Sequence, residues 1–411
     1  MSIETRGRPI WKDLPQLSLD ERDRRWRKIR QKMALHGLDG LIIFSMRTMY
    51  HGGTTNLRYV THLDSPGYVV FPLQGEPIAF TGVIHLGEYA PVYQNWVKEV
   101  RPRPSPEAVV AAAKELGLER GKIGVVGFGS MQSRIVPDVV TYRGYTGITE
   151  GLPNAKFSDA GGILEEVRLV KSEEEVRFLE KSAELAYLMY EAMVEAARPG
   201  NMECQVVAAM LHALIANGGE DDHILLDAGS PPLLHGRYEP TTHKLTKGDI
   251  IIVEYHSRYA GYLIAVEHSV SLGEPGKEFR EIHQVSEECF YKGIEKMRPG
   301  VLFSEVVEAF RAPADAAGMG YVELGIHGHG LSSPEFPTTV FGGKGGIWPE
   351  HGMARIPSVM LEENMCFGTN IDLHNPRWRR DTGLMVGDTI LVTKNGPRKM
   401  TKVPLEFTVV K

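Results

Sequence analysis

The sequence predicts two domains, a small α/β domain over residues 1–162 and a larger α+β domain over residues 163–411 with an internal pseudo-two-fold repeat. Three observations support this prediction. The chain has 411 residues, more than one ordinary domain holds. Its first part alternates strand patterns with helix patterns, as layered α/β domains do. Its second part contains two similar helix-helix-strand segments about one hundred residues apart.

The N-terminal domain begins with an amphipathic helix over residues 19–36, in which apolar residues recur at helical spacing among dense charge. Glycine-punctuated apolar runs then follow, which are typical of buried strands. The predicted strands are 37–45, 67–72, 77–82 and 122–127, with a helix at 107–117.

The repeat in the C-terminal domain is marked by Arg198-Pro199-Gly200 and Arg298-Pro299-Gly300. A helical pattern ends at each tripeptide; the first of these patterns runs over residues 163–197. A second helix with a Val-Val pair begins a few residues later in both copies. Such a duplication predicts two halves that face each other across one site.

The composition is that of an ordinary soluble globular protein, with 42% apolar and 24% charged residues. A net charge of −6 gives no reason to expect nucleic acid or an anionic membrane as a partner. Three widely spaced cysteines fit a reducing compartment better than a disulfide framework. No uncharged apolar run is long enough to span a bilayer, so we expect a cytoplasmic protein.

Residues 249–270 predict a hairpin with ionisable groups on one face. Side chains alternate along a strand, so Glu254 and His256 share a face of the first arm, and Glu267 lies on a face of the second. Two carboxylates and an imidazole on a half-buried sheet are costly unless they are paired or used. A solvent-facing hairpin with mixed charge is the alternative.

Four further segments could line the same site. They are a loop at 225–249, a glycine-rich stretch at 323–337, a strand within 363–376 and a strand at 388–396 with a hairpin turn at its Asn-Gly. Their candidate residues are His235, Arg237, His327, His329, Asn370 and Asp372.

Several motifs resemble the creatinase, aminopeptidase P and prolidase family from about residue 20 to the end. They are RLVKSEEEVRFLEKSAELA, KGDIIIVE, HGHGL and GDTILVTKNG, which occur in the family's order and spacing. The resemblance implies a pita-bread catalytic domain behind the α/β domain. It also implies a homodimer, in which the neighbour's N-terminal domain lies near the active site.

Most members of that family hold two metal ions with five ligands, and the resemblance assigns those ligand positions to Glu254, Ala265, His327, Asn370 and Gly387. Alanine and glycine offer no ligating side-chain atom, and a pair of dications needs bridging carboxylates. The sequence therefore predicts no paired metal centre, and we expect neither a metal nor another cofactor.

Creatinase is a metal-free enzyme of this fold, and AVEHS at residues 265–269 resembles its substrate-binding segment. Glu267 falls on the substrate-binding glutamate, and Asn370 replaces the second one. The acid-base histidine falls on Arg237, or on His235 after a loop shift. The resemblance thus predicts a metal-independent hydrolase that cleaves a C-N or related bond in a small polar substrate.

We expect His327 and Glu267 to be the catalytic pair, with a neighbouring carboxylate raising the pKa of the imidazole. Glu254, desolvated among isoleucines, would hold a raised pKa and act as an acid, and His235 completes the catalytic candidates. The candidate substrate contacts are Arg237, His256, His329, Asn370, Asp372 and Arg355.

Three other interpretations remain open from the sequence. The first is a lyase that removes a proton and expels a leaving group. The second is a catalytically inactive, peptidase-like module that binds peptide or protein. The third is a rebuilt mononuclear metal site made from Glu254, His256, Glu267 and His327.

Overall fold

The computed structural model describes residues 14–46, 54–82, 90, 93–128, 138–345, 356 and 358–411. The chain forms two compact units, Met1–Arg168 and Leu169–Lys411. The predicted architecture, an α/β domain followed by a duplicated α+β domain, is confirmed. The boundary that the sequence places between residues 162 and 163 stays a prediction.

The N-terminal unit contains a six-stranded mixed sheet in the order β4-β3-β2-β1-β5-β6. Its strands are interspersed with helices along the chain. They are α1 (Leu19–Leu35), β1 (Gly40–Ser45), α2 (Thr55–Thr61), β2 (Gly67–Pro72), β3 (Ile78–Thr81), β4 (Glu99–Pro102), α3 (Pro106–Glu115), β5 (Lys122–Val126), α4 (Tyr142–Gly151), β6 (Lys156–Asp159) and α5 (Gly161–Leu169).

The central strands of this sheet are almost fully buried, which explains their continuous apolar sequences. β1 pairs antiparallel with β2 and parallel with β5. Apolar residues of these strands, such as Ile42 and Val125, form one core with Val109 of α3 and Ile148 of α4.

The C-terminal unit contains four helices and ten strands in its described part. They are α6 (Glu173–Ala196), α7 (Glu203–Ala216), β7 (Ile224–Gly229), β8 (Ile250–Tyr259), β9 (Tyr262–Leu272), α8 (Lys277–Glu295), α9 (Phe303–Ala316), β10 (Gly320–Gly328), β11 (Glu335–Lys344), β12 (Cys366–His374), β13 (Leu384–Val386), β14 (Thr389–Thr393), β15 (Gly396–Lys399) and β16 (Thr408–Val410).

These strands form two sheets, one per half of the unit. The smaller sheet has the order β16-β9-β8-β7, and the larger has the order β11-β10-β12-β14-β15 with β13 paired to β12. α6 packs against β8 and β9, while α8 packs against β12 and β13. Each half therefore buries one sheet against its own long helix.

The turns after α6 and α8 have the same backbone structure, as the repeated Arg-Pro-Gly motif predicts. Gly200 and Gly300 both adopt positive φ, 96° and 85°, a conformation that favours glycine. Each glycine donates its N–H across the turn at 2.8 Å, Gly200 to the carbonyl of Leu245 and Gly300 to that of Leu361. The two halves are therefore structurally equivalent at this point.

The two sheets are joined where β9 meets the residue after β13. Glu267 and Gly387 exchange two backbone hydrogen bonds of 3.0 Å in a short antiparallel bridge. A Cβ atom at Gly387 would lie 2.1 Å from the carbonyl oxygen of Thr369 and 2.9 Å from Oε2 of Glu267. This approach leaves no room for any side chain at position 387.

None of the helices in the described part of the chain combines the length and the apolar character that a membrane crossing requires.

We expect Gly387→Ala to destabilise the C-terminal unit by about 1–3 kcal/mol, because the methyl group would press on backbone that cannot move without breaking the bridge. Differential scanning calorimetry would show this as a lower midpoint of the C-terminal transition.

Gly276→Ala is the matched control, since Gly276 has a φ of −60° and the nearest atom to its added Cβ is the flexible Oε2 of Glu278 at 3.6 Å. It should lower the stability of the C-terminal unit clearly less than Gly387→Ala does. Equal midpoints for the natural protein and Gly387→Ala would refute the close approach.

Candidate active site

One wall of the candidate site is the hairpin of β8 and β9. Its register places Glu254 directly opposite Glu267, so the two carboxylates share one face. The opposite face is attached to α6, where the hydroxyl of Tyr255 donates to the carbonyl of Ala186 at 3.1 Å. The hairpin expected from the sequence is therefore present, and both acidic side chains point away from α6.

The second wall is formed by β10 and β12 of the larger sheet. By the alternation of side chains, β10 presents Glu323 and His327 on one face, and β12 presents Asn370 and Asp372. The apolar residues between them belong to the core on the other side of the sheet. The pairing of β10 with β12 shifts register beside Glu323, and such bulges redirect side chains.

A loop between β7 and β8 supplies an imidazole, that of His235, which faces Asp372 and Glu254. The ring nitrogen Nδ1 of His235 lies 2.9 Å from the carbonyl oxygen of Gly236. Its Nε2 lies 3.6 Å from Oδ2 of Asp372 and 4.0 Å from Oε2 of Glu254. We call the group formed by His235, Glu254, Glu267, Glu323 and Asp372 the acidic cluster.

The acidic cluster combines four carboxyl groups with one imidazole. Burial, together with the charges of Asp372 and Glu254, raises the pKa of Glu267 well above its usual value. Burial likewise raises the pKa of Asp372 well above its usual value, although His235 opposes this shift. Within the described part of the chain, no lysine or arginine forms an ion pair with Glu254, Glu267 or Asp372. The cluster is therefore suited to a cationic ligand.

The carboxylates also act on His235 in turn. Burial alone would lower the pKa of His235, but Asp372, Glu254 and Glu323 raise it to about 9. The ring therefore supplies one positive charge to the cluster at neutral pH when no other cation is bound.

Glu254 is held by a chain of charged groups that leads away from the cluster. Its Oε1 lies 3.3 Å from Nε2 of His256, whose Nδ1 lies 3.7 Å from Oδ1 of Asp222. The other oxygen of Asp222 accepts two hydrogen bonds from Arg258, at 2.9 and 2.6 Å. His256, a candidate substrate contact in the sequence, thus lies between two carboxylates instead.

The prediction of a raised pKa for Glu254 is wrong. Burial does raise it, but hydrogen bonding and charge from His256, together with the charges of His223 and His235, lower the pKa to about 2. The imidazoles that reverse the direction come from neighbouring loops and the same strand. Glu254 is an ionised carboxylate at neutral pH.

His327 and Glu267 do not form the pair that the sequence predicts. Burial lowers the pKa of His327 to about 4, against the opposing charge of Glu254, so the expected rise is also wrong. Glu267 instead accepts hydrogen bonds from Nδ2 of Asn370 at 2.6 Å and from the N–H of Ile371 at 3.1 Å. Asn370 therefore positions Glu267, and His327 is a neutral imidazole.

Arg237 lies apart from the cluster although it is only two residues from His235. Its guanidinium contacts Oε2 of Glu203 at 2.6 Å and also pairs with Asp227. His235, not Arg237, is thus the residue of this loop that faces the carboxylates.

His329 is not available to a ligand. Its side chain is fully buried, with Nδ1 at 3.1 Å from the hydroxyl of Thr389 and Nε2 at 3.0 Å from that of Ser333. Arg355, the remaining predicted contact, lies outside the described residues.

Two residues of the site were missed in the sequence. Glu323 lies four residues before His327 on the same strand, and period-two alternation would have placed it on the same face. Asp222 lies in the loop before β7, and no local pattern connects it with His256.

The paired metal centre of the resembling family does not fit these residues. Of the five positions implied for its ligands, Ala265 and Gly387 have no ligating atom, and a side chain at Gly387 would collide with the carbonyl of Thr369. The Nδ2 of Asn370 is bound to Glu267. A carboxylate at position 387 could not be accommodated on this backbone.

Comparison with known proteins gives the family. Residues 177–394 match Metallopeptidase family M24, and residues 25–170 match the Creatinase/Prolidase N-terminal domain. An Xaa-Pro dipeptidase of Pyrococcus horikoshii is 26% identical over 257 residues, which is 61% of this chain and 68% of that protein. An uncharacterized peptidase of Bacillus subtilis, YqhT, is 24% identical over 93% of this chain and 99% of its own length.

Solved structures share the fold. An Xaa-Pro dipeptidase from Bacillus anthracis superposes with a TM-score of 0.75 at 21% identity and covers 95% of this chain and 100% of that chain. A dipeptidase from Pyrococcus horikoshii gives a TM-score of 0.74 over 94% of this chain and 100% of its own.

These relatives correct two predictions from the sequence. A metal-independent enzyme conflicts with the match to a metallopeptidase family, and a non-peptidase C-N hydrolase conflicts with relatives named Xaa-Pro dipeptidase. The sequence analysis inferred metal-free chemistry from the loss of the family's ligand set. That inference was wrong, because other carboxylates and imidazoles line the same site. With both matches in their expected order, the chain belongs to metallopeptidase family M24 and carries a creatinase/prolidase N-terminal domain.

Proposed function

We propose that this protein hydrolyses an amide bond in a small, dipeptide-sized substrate at the acidic cluster. The observation that carries the proposal is that Glu254 and Asp372 lie within 4.0 Å of His235, while Glu267 stands opposite Glu254 on the hairpin. Relatives named Xaa-Pro dipeptidase support a substrate of this size and bond type.

The charge of the cluster favours a substrate with a free amino group. A protonated α-amine placed among several carboxylates exchanges its hydration for charge-assisted hydrogen bonds. No arginine or lysine of the described chain competes for Glu254, Glu267 or Asp372. A substrate whose amine is blocked lacks this interaction and leaves the carboxylates uncompensated.

Glu254 is the residue that we assign to proton transfer. His256 contacts Glu254 on the side away from the cluster and fixes its position. Asp222, which pairs with Arg258, positions His256 in turn. A carboxylate held in this way accepts a proton from the water that attacks the amide carbonyl, and it returns the proton to the leaving amine. No other carboxylate of the cluster has a comparable chain of support behind it in the described structure.

Glu267 and Asn370 have a positioning role in this proposal. The short hydrogen bond between Nδ2 of Asn370 and Glu267, at 2.6 Å, fixes the carboxylate on the floor of the site. The backbone N–H of Ile371 holds its second oxygen at 3.1 Å. Glu267 therefore bounds the space that the substrate occupies.

The proposal includes a homodimer, which the resemblance implies, and a cytoplasmic location, which the cysteine content and the lack of a long apolar run favour. Light scattering coupled to gel filtration would test the first, with twice the chain mass of 45.7 kDa as the expected result.

We expect Glu254→Gln to lower kcat for dipeptide hydrolysis by roughly 100-fold or more, with KM changed only a few-fold, because the amide cannot take a proton from water. Amine release from a panel of Xaa-Pro and other dipeptides, assayed with and without added divalent ions, measures both constants. The exposed Glu363→Gln is the matched control and should leave them unchanged. Full activity in Glu254→Gln would exclude this role.

We expect N-acetylation of the best dipeptide to lower kcat/KM at least about 10-fold, because the blocked amine no longer carries the charge that the cluster attracts. The ratio for free and acetylated substrate, determined with the same protein sample, tests this. Equal values for the two substrates would contradict recognition of the amine.

A further inference from the structure

We propose that His235, Glu323 and Asp372 form a site for a single divalent transition-metal ion, displaced from the paired positions implied by the family. One ligand atom from each of the three residues lies within 4.8 Å of the others. One imidazole nitrogen with two carboxylate oxygens is a ligand set for a borderline ion such as Zn²⁺ or Mn²⁺.

The carboxylate of Asp372 is the observation that points to a ligand. Its side chain is completely buried, and neither of its oxygens accepts a hydrogen bond from any described residue. A buried carboxyl group whose two oxygens have no hydrogen-bond partner is costly in either protonation state. Both oxygens lie in the site beside His235, where a bound cation would satisfy them.

His235 is oriented as metal-binding histidines usually are. Its Nδ1 is within hydrogen-bond distance of the carbonyl of Gly236, at 2.9 Å, which fixes Nε2 as the nitrogen that faces the site. Ligating histidines commonly donate their second nitrogen to a backbone carbonyl or a carboxylate in this manner. The orientation therefore exists before any ion binds.

The separation between His235 and Asp372 fits a shared ion better than a direct contact. Nε2 and Oδ2 are 3.6 Å apart, which is too long for a hydrogen bond. Two ligands that each lie about 2.1 Å from a tetrahedral ion are roughly 3.4 Å apart. The two atoms are thus already near the spacing that coordination requires.

Three protein ligands leave coordination positions open for water or substrate, as in catalytic rather than structural sites. Glu254 lies 4.0 Å from Nε2 of His235 and so borders the site without belonging to the set. The proposal concerns binding alone and does not depend on the proposed amide hydrolysis.

A second set of side chains, Asp222, His223 and His256, also has ligand atoms within 4.8 Å of one another. We do not assign the ion there, because Asp222 already accepts two hydrogen bonds from Arg258 and the N–H of His223. A saturated carboxylate with a guanidinium beside it is a poor ligand for a dication.

The test is isothermal titration of the full, tag-free chain, stripped with EDTA, with Zn²⁺ and with Mn²⁺. We expect one ion per chain, bound with micromolar or tighter affinity. Asp372→Asn and His235→Gln should each weaken binding at least ~100-fold, because each removes a ligand. Cobalt loading adds an optical test, since direct coordination gives visible absorption bands that both variants should lose.

Two control variants locate the ion. His223→Gln and the exposed Glu363→Gln should bind as the natural protein does. A loss in His223→Gln with normal binding in Asp372→Asn would place the ion at the other set and overturn the proposal. Two ions per chain, or no binding tighter than millimolar, would overturn it as well.

Folding of the variants is checked by thermal unfolding in EDTA. Asp372→Asn should unfold at a temperature equal to or above that of the natural protein, because it removes one of several repelling carboxylates. If it does not fold, Glu323→Gln, at a partly exposed ligand, takes its place with the same expected loss of affinity. Normal affinity in the folded variant would refute the site.

Discussion

The main electrostatic constraint on the catalytic domain is the repulsion among the carboxylates that its fold brings together. Glu254 and Glu267 face each other across a hairpin, and Asp372 approaches from the second sheet. Buried like charges must be neutralised by protons, by a fixed cation or by a ligand. His235 and His256 offset part of this charge, and the raised pKa values of Glu267 and Asp372 indicate that a bound cation would take the place of protons there.

Backbone packing explains why a paired metal centre of the family's kind does not neutralise these carboxylates. The bridge between Glu267 and Gly387 brings the two sheets together so closely that position 387 holds no side chain. Across the hairpin, Ala265 stands opposite His256 and adds only a methyl group. The carboxylates of Asp372 and Glu323 instead lie close to His235 in the loop between β7 and β8.

Local pattern and spacing were sufficient to predict the framework of the site. Period-two alternation identified the inner face of the β8–β9 hairpin, because alternation is a property of the strand alone. The repeated Arg-Pro-Gly turns predicted the duplication, since Gly200 and Gly300 need the same positive φ and make the same hydrogen bond. The family motifs then predicted the order of the two domains.

The remaining details depend on contacts between distant segments. Burial raises the pKa of Glu254, but His256 and the charge of His223, from the loop before β7, lower it. Glu203 binds Arg237 outside the cluster. The contacts of His223 and Glu203 leave no local signal in the sequence. Period-two alternation would have placed Glu323 on the face of His327, whereas the register shift beside Glu323 on β10 leaves no local signal. The inference of metal-free chemistry failed for the same reason. It considered only the five ligand positions that the resemblance assigns and not the other side chains of the site.

The most direct test of this account is an anomalous difference map from crystals of the natural protein grown with Zn²⁺ or Mn²⁺. A single peak about 2.1 Å from Nε2 of His235 and from an oxygen of Asp372 is the expected result. Two peaks between Glu254, His327 and Asn370, or a map without a peak at the cluster, would contradict it.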